Sequence, residues 1–252
     1  MELPKDKKIY FASDFHLGVP THQLSRERED RIVSWLDSIK SSAHIIYLVG
    51  DIFDFWFEYK QVIPRGFARF SGKIAELTDS GIQVVFFTGN HDMWMFDYLE
   101  KELGVTIERK KIEVEINGKS FLIAHGDGLG SGDRGYKIIK AIFANKVCQW
   151  MFARLHPNFG IGLADYLSRK SRKHSVNDDK FLGREKEWLI QYSIEKLNEK
   201  HFDYFIFGHR HFPITVDLKP NSTYINLGEW ISHNTFVDFD GDKCIMNTFS
   251  LD

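Results

Sequence analysis

Cysteine is nearly absent. Cys148 and Cys244 are the two in a chain of 252 residues, too few for a disulfide framework, and a reducing compartment is expected. No apolar run approaches the roughly 18 residues that span a bilayer. The opening stretch MELPKDKKIYFASDFHLG has too short an apolar segment for a signal sequence. A cytoplasmic, non-spanning protein is the expectation. Charge of one sign is also lacking: the net charge of −2 gives the whole chain no electrostatic signature of a nucleic-acid binder, and no such partner is expected. There is no internal repeat and no low-complexity linker. What is present suits a soluble protein of enzyme size: 43% hydrophobic residues, 27% charged, and an unusually high 15% aromatic share with 22 Phe, enough to fill a large core.

Short apolar runs alternate with longer amphipathic ones. Residues 8–13, 44–50 and 82–89 read as buried strands, and the segments between them, REREDRIVSWLDSIK and RGFARFSGKIAELTDSG, carry helical spacing. That order implies a parallel sheet with helices on its faces. KKIEVEI and KSFLIAHG flank Asn117-Gly118, a hairpin signal. Helical spacing returns over 185–201, followed by the strand DYFIFGH. The runs ITVDL, STYINLG, NTFVDF and CIMNTFSL read as antiparallel strands. One segment, about 128–180, is mostly helical. Between Arg134 and Lys173 it carries nine Lys/Arg against the single acid Asp165. It reads as a helical cap inserted into one domain that spans 1–252.

The strand ends share a pattern. YFASDFHLG ends in Asp14 and His16, and IYLVGDIFD in Asp51 and Asp54. VFFTGNHD delivers Asn90, His91 and Asp92, FLIAHGDG delivers His125 and Asp127, and YFIFGHRHF delivers His209 and His211. One such ending would be an ordinary turn. Five, each stopping at Gly or a small residue and then presenting Asp, Asn or His, point to a shared ligand, because open α/β sheets bind ligands beyond the carboxyl ends of their strands. Mixed carboxylate, imidazole and amide donors without thiolate suit divalent Mn, Fe, Zn or Co. Asp14, His16, Asp51, Asn90, His125, His209 and His211 are too many for one tetrahedral ion and enough for two that share a carboxylate. Such pairs of ions serve phosphoryl chemistry.

DFH at 14–16, GDIFD at 50–54, GNHD at 89–92, HGD at 125–127 and GHRH at 208–211 resemble, in order, the motifs of calcineurin-like metallophosphoesterases. The resemblance implies an α/β fold of two packed mixed β-sheets flanked by helices. It implies one ion held by Asp14, His16, Asp51 and His211, and another by Asp51, Asn90, His125 and His209, with Asp51 bridging. Mn²⁺ is the first expectation, with Fe²⁺, Zn²⁺ or Co²⁺ as alternatives. His91 would stabilise developing charge or protonate the leaving oxygen, a task that suits imidazole, with Asp92 orienting it. Asp54 and Asp127 would orient ligating histidines.

The cap speaks to substrate. Ile138, Ile139, Ile142, Phe143, Val147, Trp150, Met151 and Leu155 recur at helical spacing with basic residues interleaved. A greasy and basic helical cap fits a ligand with acyl chains and phosphate, or an anionic membrane surface. Ile139, Phe143, Val147, Trp150 and Met151 are candidate walls of an apolar cleft between cap and rim. GDIFDFWF, HGDGLGSGDRGY, SRKSRKHS and NLGEW are similar to the UDP-2,3-diacylglucosamine pyrophosphohydrolase family of lipid A biosynthesis, over nearly the whole chain. That resemblance implies hydrolysis of a nucleotide-activated glycolipid to UMP and 2,3-diacylglucosamine 1-phosphate, with contact to the inner-membrane surface. Asn90, His91, Asp133, Tyr136, Arg169, Ser171 and Lys173 would touch substrate. The sequence departs from the family at His91, where GNRD is usual. The alternatives are a non-lipid phosphodiester or nucleotide pyrophosphate as substrate, and a non-catalytic metal-stabilised scaffold.

Overall fold

A computed structural model describes residues 1–130, 134–174, 181–219 and 221–251; within these, the side chains of 134–136, 138, 139, 165 and 169–174 fall outside the description. The chain opens with β1 (Lys8–Ala12), α1 (His22–Ile39), β2 (Ala43–Val49), α2 (Ala68–Asp79) and β3 (Gln83–Phe87). The short α3 (Tyr98–Leu103) and β4 (Thr106–Glu108) follow; neither is long enough to show a period in the sequence. Next come β5 (Ile112–Ile116), β6 (Lys119–Ala124) and three helices in succession, α4 (Arg134–Ala144), α5 (Lys146–Phe152) and α6 (Pro157–His174). The remainder is α7 (Trp188–Glu199), β7 (Tyr204–Phe207), β8 (Pro213–Lys219), β9 (Ser222–Leu227), β10 (Thr235–Phe239) and β11 (Cys244–Thr248). Helix α1 starts four residues earlier than its apolar period indicates, because Thr21 caps it: its hydroxyl accepts from the Leu24 amide at 3.2 Å.

Two mixed sheets form. One has the order β11-β10-β1-β2-β3-β4, the other β5-β6-β7-β9-β8. In the first, β1, β2, β3 and β4 run parallel; in the second, β6, β7 and β9 do. The C-terminal runs are therefore not a simple antiparallel set. β9 pairs antiparallel with β8 but parallel with β7, while β10 crosses to the other sheet and lies antiparallel to β1. Each run taken alone shows its period, whereas its partner is chosen by packing across the molecule.

Alternation along each strand sorts residues into layers. Ile9, Phe11, Ile45, Tyr47, Val49, Val85 and Phe87 from the first sheet meet Phe121, Ile123, Ile206, Ile225 and Leu227 from the second. Their neighbours Tyr10, Ala12, Ile46 and Leu48 face α1 and α2, with Trp35, Phe70 and Ile74. Leu122, Phe205 and Phe207 face Leu189 and Ile190 of α7. Both faces of the central strands are covered, which is why β1, β2, β3, β6 and β7 read as unbroken apolar runs. The high aromatic content goes into this sandwich: Phe11 stacks on Tyr47 at 5.2 Å and on Phe121 across the sheets at 6.1 Å. A second aromatic group ties the α4–α6 segment down, where Phe143 and Phe152 lie 5.3 and 4.9 Å from Trp94.

Candidate metal centre

β1, β2 and β3 of one sheet and β6 and β7 of the other end at the same rim, so the five polar endings converge from two sheets. The turns are laced to each other by backbone bonds: Asp14 N to Gly50 O at 3.0 Å, His16 N to Asp51 O at 2.9 Å, and Gly208 N to His125 O at 3.0 Å. Five of the candidate donors sit in the left-handed region, with φ of 56° at Asp14, 46° at His16, 52° at Asp51, 68° at His209 and 34° at His211. Each such residue costs about 1 kcal/mol or more, strain that concentrates where chemistry is done. Room for the crowding comes from glycine. A Cβ on Gly50 would run into the His125 ring, one on Gly89 into Asp51, and one on Gly208 would stand 2.6 Å from Asp14 Oδ2.

The donor atoms form overlapping groups. Asp14, His16 and His211 lie within 4.8 Å of one another, as do Asp51, His125 and His209, and a third set joins His16, Asp51 and His91. Asn90 Oδ1 stands 3.2 Å from His125 Nε2. Backbone carbonyls set the imidazole tautomers. His125 Nδ1 donates to Val49 O at 2.8 Å, so Nε2 is presented to Asp51 Oδ2 at 3.4 Å. His91 Nδ1 likewise donates to Asp54 O at 2.9 Å. The His16 and His211 Nε2 atoms face each other at 3.1 Å. Asp14 Oδ1 is buried and accepts no hydrogen bond, with His211 Nε2 3.4 Å away.

This donor set fits divalent cations. Buried carboxylates and imidazoles in such proximity need positive charge among them. Burial would raise the Asp51 carboxyl, yet the charges of His125 and His91 hold it well below the usual range. Burial pulls His125 down, but the charge and hydrogen bond of Asp51 outweigh it and hold it up at about 10. His209, lowered by burial and by the neighbouring His125, falls to about 4. Mn²⁺, Fe²⁺, Zn²⁺ and Co²⁺ all accept this mixture of oxygen and nitrogen donors.

Asp92 does something other than the sequence suggests. Its carboxylate accepts from the amides of Gly89 at 2.7 Å, Ile52 at 2.7 Å and Phe53 at 3.3 Å, so it ties the β3 turn to the β2 turn and does not orient His91. Asp54 takes that place: its Oδ1 lies 3.4 Å from His91 Nδ1 and 3.5 Å from His16 Nδ1. Burial and then the Asp51 charge push Asp92 up to about 7. Asp127 is buried beside the second histidine group, with its carboxyl lowered: burial opposes this, and the charges of His125 and Lys140 prevail. Asp133 lies outside the described residues, as do the side chains of Tyr136, Arg169, Ser171 and Lys173. Of the proposed cleft walls, Val147, Trp150 and Met151 are 63%, 58% and 60% exposed. They face solvent, and Phe143 and Phe152 make the contact with the core.

Three supports escaped sequence reading. Buried Arg28 of α1 donates to the carbonyls of Phe15 at 3.0 Å, His16 at 2.7 Å and Val19 at 3.0 Å, clasping the β1 turn. Its i+4 and i+7 neighbours Ile32 and Trp35 lie on the apolar face, a spacing that marks an inward arginine. Arg210, between two donor histidines, is 1% exposed, bonds Glu187 at 3.0 and 3.1 Å and stacks on Trp188. Glu58 accepts from the amides of Phe96, Asp97 and Tyr98 at 2.7–3.0 Å and pins the segment that follows the β3 turn.

Two mixed sheets with carboxylate, imidazole and amide donors converging at one rim define a metal-dependent phosphoesterase. A profile of the calcineurin-like phosphoesterases matches residues 7–213, and the chain belongs to that family. The chain is similar to the UDP-2,3-diacylglucosamine hydrolase of Porphyromonas gingivalis, with 40% identity over 96% of this chain and 97% of that one. It is also similar to proteins of the same name from Vibrio parahaemolyticus, at 27% identity over 92% and 94% of the two chains. The Histophilus somni protein of that name is 26% identical over 89% and 92%. Among solved structures, a phosphoesterase from E. coli aligns at 13% identity with a TM-score of 0.44, over 94% of this chain and 90% of that one.

Proposed function

We propose that this protein hydrolyses the pyrophosphate of UDP-2,3-diacylglucosamine to UMP and 2,3-diacylglucosamine 1-phosphate, a step of lipid A biosynthesis. The observation that carries the reading is the 40% identity to a hydrolase named for that substrate, over nearly all of both chains. Asp14, His16, Asp51 and His211 would hold one ion, and Asp51, Asn90, His125 and His209 the other, with Mn²⁺ as the first candidate. When bound, the two ions would neutralise phosphate charge and acidify an attacking water. Asp51, common to both proposed ligand sets, would serve both ions. His91 has Nδ1 engaged by the Asp54 carbonyl, so a proton for the departing phosphate oxygen would be carried on Nε2 of the imidazolium form. Buried Asp54 and Asp127 hold the imidazoles in place.

The molecule is one domain, with α4–α6 as its cap. A cleft of about 1020 Å³ starts at Asp54 and runs past Phe55, Ile63 and Arg65 to Ile161 at the cap's base, large enough for one half of the substrate beside the rim. Asp133, Tyr136, Arg169, Ser171 and Lys173 are the proposed further contacts. Among the described residues no helix is long and apolar enough to cross a membrane. The exposed Val147, Trp150, Met151 and Phe159, with Arg154 stacked 4.8 Å over Trp150, support peripheral contact with an anionic inner-membrane surface.

Phosphorus-31 NMR of the reaction tests this. The pyrophosphate signals of UDP-2,3-diacylglucosamine should give way to two phosphomonoesters, with label from ¹⁸O-water entering UMP. Equal hydrolysis of UDP-glucosamine without acyl chains would instead favour a non-lipid nucleotide pyrophosphate, the reading that His91 in a generic GNHD motif supports.

A further inference from the structure

Among the described residues, two polar contacts join the cap to carboxylates at the rim that face the donor histidines. From α6, Ser168 Oγ donates to Asp54 Oδ2 at 3.0 Å and stands 3.4 Å from His91 Nδ1. From α4, Lys140 Nζ binds Asp127 Oδ2 at 2.5 Å and approaches the Asp127 carbonyl at 3.4 Å. Asp54 and Asp127 are 3% and 6% exposed, so each contact falls on a carboxylate that water scarcely reaches. Asp54 in turn faces His16 and His91, and Asp127 lies in the field of His125 and His209. A cap that only covered substrate would not need to touch these two groups.

We propose that Ser168 and Lys140 are positioning residues through which the seated cap fixes the geometry of the catalytic centre. Ser168 holds Asp54, and with it His91 and His16; Lys140 holds Asp127, and with it the histidines of the other group. Acyl chains that draw the cap onto the core would then tighten the centre itself, so that substrate binding far from the phosphorus is felt at the reacting atoms. The inference rests on the metal centre and on the role of His91 stated above, and not on the identity of the lipid.

The test uses the full chain with two substrates: the diacylated nucleotide sugar, and bis(4-nitrophenyl) phosphate, which carries no acyl chain. Ser168→Ala should lower kcat about 10-fold or more on both, with KM changed by less than about twofold and metal content intact, and Ser168→Thr should recover most of the rate. Lys140→Met should weaken Mn²⁺ binding by about 10-fold or more in a titration of metal-depleted protein, with Lys140→Arg recovering it. Adding Ser168→Ala to His91→Ala should cost less than Ser168→Ala costs alone, since part of its effect runs through His91. Losses confined to KM for the lipid substrate would make these residues lipid contacts and overturn the proposal. So would additive losses in the double variant, or unchanged kinetics and Mn²⁺ binding. If His91→Ala alone leaves the rate intact, the His91 reading fails, and the Lys140→Met titration still decides whether the cap positions the centre.

Discussion

Asp51→Ala abolishes activity and strips metal from the protein. Asp51 lies with His125 and His209 in one donor set and with His16 and His91 in another, and His16 carries the link on to Asp14 and His211. Asp51 Oδ1 also accepts the His91 amide at 2.9 Å, so the carboxylate holds the β3 turn as well as the site. Removing it leaves imidazoles facing each other without the anion that balances them. The loss should exceed the 10–100-fold typical of an outer supporting group. Elemental analysis of the purified variant should find less than one ion per chain, with hydrolysis at background. Asp51→Asn keeps the shape and the amide contact but not the charge, and should fold with the same loss of metal. Full activity in either variant would remove Asp51 from the mechanism.

His91→Ala has a different signature. The imidazole reaches the centre from the side, with its ring 5.0 Å from that of His16 and its Nδ1 committed to Asp54. Both ions should therefore remain while the rate falls by about 10²–10⁴-fold, the usual size of a general acid or charge-stabilising contribution. His91→Arg should restore part of the rate, since a guanidinium supplies fixed positive charge to the leaving oxygen though not a transferable proton. Steady-state kinetics with parallel metal analysis checks the pair. An unchanged rate in His91→Ala would make the residue a structural link between the turns.

Much of this centre was legible in the chain because its chemistry is local. Each donor follows an apolar strand within a few residues, so Asp14, Asp51, Asn90, His125 and His209 announce themselves as polar endings of buried runs. What lay hidden depends on contacts far apart in the sequence. That β1–β3 and β6–β7 belong to different sheets follows from layer packing, and the apolar runs look alike in either. The left-handed backbone at five donors follows from the lacing of neighbouring turns. Asp92 looked like a partner of its neighbour His91, but at a tight turn adjacent side chains diverge, and three amides from two turns claim the carboxylate. Ser168 and Lys140 carry no local sign of their role, since their partners sit 114 and 13 residues away. The cap stripe misled for a related reason: helical apolar spacing shows that a face exists, and only the packed structure shows that Val147, Trp150 and Met151 turn it outward.

The central claim is that one rim, shared by two sheets, holds two ions joined by Asp51. Stepwise return of Mn²⁺ to chelator-treated protein, with the rate of phosphodiester hydrolysis followed against equivalents added, tests it most directly. The account predicts no turnover in the metal-depleted protein, a rise that ends at two ions per chain, and no rise in Asp51→Ala. Full turnover that survives complete removal of metal, or that saturates at one ion per chain, would contradict it.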